Sequence, residues 1–123
     1  MGQRRRELGR RGESRAIRYL EARGCQVVVS NWRCQAGEVD VIVLDGACLA
    51  FVEVRTRRGQ AYGRPEESIT PHKLARMAAV AETYIYERGW ESDWRLDVVA
   101  IQVRGGRVAS IEWYRNVSMT LLK

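Results

Sequence analysis

Three carboxylates and a row of arginines have the types and spacing to do chemistry. In "FVEVRTRRG" (residues 51–59), Glu53, Arg55 and Arg57 fall two residues apart, so a strand would point all three to one face. Asp40 in "GEVDVIVLDG" and Glu13 in "GRRGESRAIRYLEARG" are further acids among apolar or basic neighbours. Two acids side by side repel unless a cation neutralises them. Hard divalent cations such as magnesium take oxygen ligands from one or two carboxylates, from water and from substrate phosphate. In a basic chain this suggests cleavage of phosphodiesters, where a metal polarises the phosphate and activates water, with Arg55 and Arg57 holding the scissile strand. A plainer reading stays open: Glu53 and Arg55 as a solvated ion pair on an open sheet face, Asp40 as a surface acid, and Glu13 as an acid favoured by a helix dipole.

The elements that must position these groups follow from periodicity and punctuation. From Leu8 to Arg23 the pattern is helical, with Gly9, Glu13, Ala16, Ile17 and Leu20 on one stripe and Gly24 as the C-cap. "CQVVVSNWRC" reads as a first strand ending at Ser30-Asn31, "GEVDVIVLDG" as a second with an Asp45-Gly46 turn, and "LAFVEVRTR" as a third. A register pairing Leu44 with Leu49 puts Asp40 opposite Glu53; one pairing Leu44 with Ala47 puts it opposite Phe51. In both, Asp40 and Glu53 share a face as direct or diagonal neighbours. The Gly/Pro-rich "GQAYGRPEES" reads as a loop able to close over a site. Thr70-Pro71 starts a second helix with Leu74, Met77, Ala78, Ala81 and Ile85 on its buried stripe, and Gly89 ends it. "WRLDVVAIQV", a Gly105-Gly106 turn and "RVASIEWY" close the chain as a hairpin, in which Asp97 has a structural role, pairing with Arg95 or supporting the sheet edge. The order helix, three strands, helix, two strands predicts an α/β fold with a mixed sheet flanked by helices. Residues 1–123 read as one domain, with 1–8 as a disordered basic arm.

Composition narrows the partners. The formal charge is +6, and Lys73 and Lys123 are the only lysines among 21 basic residues, so the surplus is arginine. Clustered guanidiniums attract polyanions and match phosphate with a planar fork. Arg10, Arg11, Arg57, Arg58 and Arg64, with Lys73, are therefore candidate nucleic-acid contacts. Three cysteines without a CxxC spacing argue against a disulfide framework or a zinc site. No apolar run approaches the ~20 residues that span a bilayer, and no apolar segment follows the basic start, so a cytoplasmic location without membrane contact is expected. His72 and the aromatics Trp32, Tyr62, Trp90, Trp94 and Trp113 are weaker signals, since most large aromatics in a small domain are core.

"GRRGESRAIRYLEARG", "NWRCQAGEVDVIVLDG", "LAFVEVRTR", "YGRPEESITPHKLARMAAVAETYI" and "RLDVVAI" together resemble the YraN-like family of small bacterial proteins, over roughly residues 9 to 103. That family is similar to archaeal Holliday junction resolvases and to the restriction-endonuclease-like fold, marked by a strand acid followed by (D/E)xK. The resemblance implies an αβββαβ core with an extra C-terminal strand, Mg2+ or Mn2+ held by Asp40 and Glu53, Glu13 as the first-helix acid, and branched or structured DNA as substrate. Junction resolution further implies a homodimer, with the Trp-bearing C-terminal hairpin as a possible interface. Arg55 departs from the pattern by standing at the expected lysine, and arginine is a poor general base because it stays protonated. Lys73 is the only internal lysine and matches a lysine position of the family. The alternative is a DNA- or RNA-binding module that keeps the fold without cleavage.

Overall fold

The computed structural model describes residues 2–59 and 69–117, with side chains from Gly12 onward in the first helix. The elements are α1 (Gly2–Ala22), β1 (Gln26–Cys34), β2 (Gly37–Asp45), β3 (Cys48–Arg58), α2 (Pro71–Arg88), β4 (Trp94–Arg104) and β5 (Arg107–Tyr114). This is the expected αβββαβ order with an added C-terminal strand. One five-stranded sheet runs in the order β1-β2-β3-β4-β5, antiparallel except for the parallel pair β3 and β4. That parallel pair requires a crossover, which α2 supplies. No helix among the described residues is long and apolar enough to cross a membrane.

Period-two alternation splits the sheet's apolar residues between two cores. Leu49 and Phe51 of β3 pack with Leu74, Met77, Val80 and Tyr84 of α2, whereas Ala50 and Val52 pack with Ala16 and Leu20 of α1. The helices therefore cover opposite faces. Phe51, essentially inaccessible, meets the rings of Tyr84 and Trp94 edge-on at 5.7 and 5.9 Å. Burial of such a side chain contributes about 1.5–3 kcal/mol.

Local signals explain most boundaries. Thr70 caps α2 by accepting from the Lys73 N–H at 3.1 Å, Pro71 needs no donor there, and Gly89 at φ 63° closes the other end. The α2 stripe is shifted from the expected one: Val80 and Tyr84 are buried, while Ala78 and Ile85 are only partly so. α1 starts at Gly2, upstream of the Leu8 where apolar periodicity begins. β1 does not end at Ser30-Asn31 but runs on to Cys34, because Asn31 adopts φ 54°, a left-handed conformation that asparagine tolerates. Where α1 crosses β3, a Cβ on Gly12 would run into Thr56 Oγ1, so glycine allows this close approach with the Thr56 side chain as it stands.

At the α1 face of β4, a buried polar network fastens the sheet. Asp97 is fully buried and accepts from Arg95 Nε at 2.9 and 3.1 Å, from Trp113 Nε1 at 2.9 Å and from the Asn116 N–H at 2.9 Å. Arg95 also donates to Asp45 at 2.9 Å. Burial alone would lower the arginine's pKa, but the hydrogen bonds to Asp97 and Asp45 more than reverse that, leaving it raised. The expected structural role of Asp97 and its pairing with Arg95 are both present.

Candidate functional site

The β2–β3 register pairs Leu44 with Leu49 and Val41 with Val52, so its continuation sets Asp40 opposite Glu53. Regular pairing stops there. Beyond Val52 the Val54 N–H is taken by Asp40 Oδ2, at 2.7 Å, so a side chain replaces the ladder. On the other side, pairing passes from Ser30↔Val41 to Trp32↔Val39, leaving Asn31 abreast of Asp40. Alternation breaks at the same point: Val41 joins the α1-side core and Val39 the α2-side core. Asp40 thus sits at a local irregularity, held over β3 by a backbone donor.

The consequence is electrostatic. The Glu53 carboxyl faces Asp40 closely enough to act on its protonation, both as a hydrogen-bond partner for the protonated acid and as a like charge. Asp40 is pushed up to about 7, first by burial, then by the hydrogen bond and repulsion from Glu53, with Glu38 adding to the rise and the Val54 N–H opposing it. Two oxygen-donor carboxyls facing each other across β2 and β3 are a donor set suited to a hard divalent ion that keeps several waters. Among the described residues, no three His, Cys, Asp or Glu side chains gather into a metal-holding set. Glu13 therefore does not join the pair as a third ligand.

The remaining candidates fall around one end of the sheet. Glu53, Arg55 and Arg57 continue the row of Phe51 on the α2 face, while Thr56 and Arg58 belong to the α1 face. Arg55 is half-buried, and its Nε is a buried donor with no hydrogen-bond partner. Arg57 is half-buried and engaged within the molecule, as is Glu13. Because α2 carries the crossover between parallel strands, it begins at the end where β3 finishes. That puts half-buried Lys73 and exposed His72 at the Arg55–Arg57 end of the sheet. The Gly12–Thr56 contact brings Glu13 to the same end from the opposite face. Arg10 and Arg11 side chains, Arg64, Tyr62 and the rest of segment 60–68 lie outside the described residues.

Most aromatics considered as base-stacking candidates are occupied. Trp32 and Trp94 pack on Tyr84 and Phe51, and Trp90 and Trp113 donate their indole N–H groups to the Asp93 carbonyl and to Asp97. The three cysteines are free, with Cys25 buried. Sequence reasoning missed the Val54 N–H as the anchor of Asp40 and Asn31 as its neighbour. An asparagine between Ser30 and Trp32 in an otherwise β-rich run was the available signal.

The model of the uncharacterised protein family UPF0102 matches residues 12–101. A UPF0102 protein of Pelotomaculum thermopropionicum is 44% identical over 118 residues, covering 94% of this chain and 98% of its own. One from Roseiflexus castenholzii is 47% identical over 102 residues, covering 81% and 82%. One from Methylococcus capsulatus is 42% identical over 108 residues, covering 88% and 87%.

Proposed function

The chain belongs to the UPF0102 family, the YraN-like proteins, and from the site itself we propose that it is a nuclease-like protein that binds DNA and hydrolyses phosphodiester bonds with Mg2+ or Mn2+. The observation that carries this reading is geometric: the β2–β3 register sets Asp40 opposite Glu53 and the Val54 N–H holds it there, in a chain of net charge +6, and burial and the neighbouring acid push Asp40 up to about 7. Two acids set opposite each other, with no ion pair to either among the described residues, suit a ligand cation. Asp40 and Glu53 would hold the metal, which when bound supplies Lewis-acid polarisation of the phosphate and an acidified water.

The chain's own residues do the rest. The Val54 N–H orients Asp40, and the half-buried Arg55 guanidinium, on the same strand face as Glu53, supplies positive charge beside the acid pair. Arg57 and Lys73 add positive charge at the same end of the sheet. Glu13 acts from the opposite face and is assigned no direct ligand role. Branched DNA as the substrate rests on the resemblance of the sequence motifs to Holliday junction resolvases alone. A homodimer and a cytoplasmic setting belong to the same reading.

A second reading is favoured by Arg55: guanidinium at the expected lysine holds phosphate but cannot serve as a base. The chain would then be a DNA- or RNA-binding module without cleavage. Incubation with junction, flap and single-stranded DNA in Mg2+ or Mn2+ separates the two. Cleavage by the wild type that is lost in Asp40→Asn and Glu53→Gln is the expected result. Cleavage that persists in Asp40→Asn removes the site assignment, and salt-sensitive binding without cleavage leaves the binding module.

A further inference from the structure

On the sheet face opposite the acid pair lies an open groove of about 1100 Å3, between α1, the end of β3 and the β4–β5 turn. Its charged lining is Arg15 and Arg18 of α1, Arg58 of β3 and Arg107 of β5, and no acid lines it among the described residues. Arg15 and Arg18 are three apart on one helix face and so stand side by side. All four arginines are exposed, and none has an ion-pair partner among the described residues. The floor is apolar, formed by Ile101 and Val103, which lessens the screening of charge above it. Gly105 and Gly106, at φ 57° and 76°, make the tight turn that presents Arg107 beside it.

We propose that this groove is a docking site for the phosphodiester backbone of duplex DNA, separate from the acid pair. Four like charges on three elements converge at an electrostatic cost that an extended polyanion relieves, and guanidinium forks fit phosphate oxygens. The described lining holds no aromatic ring to stack on an unpaired base, which favours the phosphate backbone of a duplex over an unstacked single strand. An open channel suits a continuous strand better than an enclosed small phosphate ester. The strand β3 divides the work: Arg55 and Arg57 serve the acid face, and Arg58 serves the groove. The inference rests on the proposed function only in naming DNA.

The test is duplex binding by fluorescence anisotropy in chelator across a salt series, which reads the groove without the metal. The variant Arg15→Gln/Arg18→Gln/Arg107→Gln is compared with Arg23→Gln/Arg33→Gln/Arg88→Gln, which removes equal charge outside the groove. Each lost phosphate contact lowers the slope of log K against log salt by about 0.9. The groove variant should therefore lose a slope of about 2–3 and at least about tenfold in affinity near 0.1 M salt, while the control keeps the wild-type slope. An unchanged groove variant, an equal loss in the control, or a wild type without duplex affinity overturns the proposal. Melting of each variant confirms that these exposed substitutions leave the fold intact. Cleavage assays run in parallel keep the readings apart: metal-dependent cleavage indifferent to the groove variant retains the nuclease and discards the groove, and groove-dependent binding without cleavage does the reverse.

Discussion

Asp97 and Asp40 are acids on adjacent parts of one sheet, yet they are treated in opposite ways. Asp97 is wholly buried and fully matched, with an arginine, an indole and a backbone N–H around it. Asp40 is less buried but meets another acid, Glu53, and among the described residues the Val54 N–H is the donor recorded to it. Arg55, on the same strand as Glu53, keeps a buried Nε without a partner. A structural acid comes with its counter-charge and its donors; an acid whose nearest strong neighbour is another acid lacks a partner that the chain does not supply. The difference separates a fastening from a site.

The largest expected effect is on the fastening. Asp97→Ala strands Arg95 and leaves Trp113 Nε1 and the Asn116 N–H unmatched, and breaking such a buried pair costs about 3–5 kcal/mol. Urea denaturation should show that loss; a cost under ~1 kcal/mol would mean that Asp97 is not the centre of the network.

Next comes Asp40→Asn, with the opposite sign. In the folded chain Asp40 holds its proton to about 7, against 3.8 as its ordinary value, so between these the folded state binds more protons than the unfolded. Stability of the metal-free protein therefore falls as pH rises from about 4 through 7, and the loss is complete above that. Asp40→Asn should flatten this slope and gain on the order of 2 kcal/mol at pH 8, after allowance for partial exposure. Melting in chelator at pH 5 and pH 8 measures it. A variant less stable than wild type at pH 8 would place Asp40 with Asp97 as a structural acid.

The smallest effect on stability is Arg55→Met, which removes a donor that has no partner. Denaturation should move by less than about 1 kcal/mol, while DNA affinity and its salt slope decrease. A large stability loss with unchanged DNA affinity would make Arg55 structural instead.

Local chemistry was legible in the sequence where short-range rules decide. The alternation of β2 and β3 brought Asp40 to Glu53 although the turn lies at Gly46-Ala47, one residue beyond the expected Asp45-Gly46, and Thr70-Pro71 and Gly89 bounded α2. Long-range packing was not. Nothing local marks Gly12 for the contact with Thr56, or selects Val80 and Tyr84 over Ala78 and Ile85 for the core, because the angle at which each helix crosses the sheet decides both. The same holds for Arg15, Arg18 and Arg107, distant in sequence and joined only by the fold. The break at Asn31 and Asp40 lies between these cases: a positive φ is available to asparagine, but its use is set by the strands on either side.

The central claim is that Asp40 and Glu53 form a divalent-metal site, and calorimetric titration with Mn2+ tests it most directly. At pH 6.5, in buffers of different ionisation enthalpy, the wild type should bind with release of up to about one proton, because the metal must displace the proton held by the pair. Both the binding and the release should disappear in Asp40→Asn. Equal binding by wild type and Asp40→Asn, or no binding by the wild type, would contradict the account.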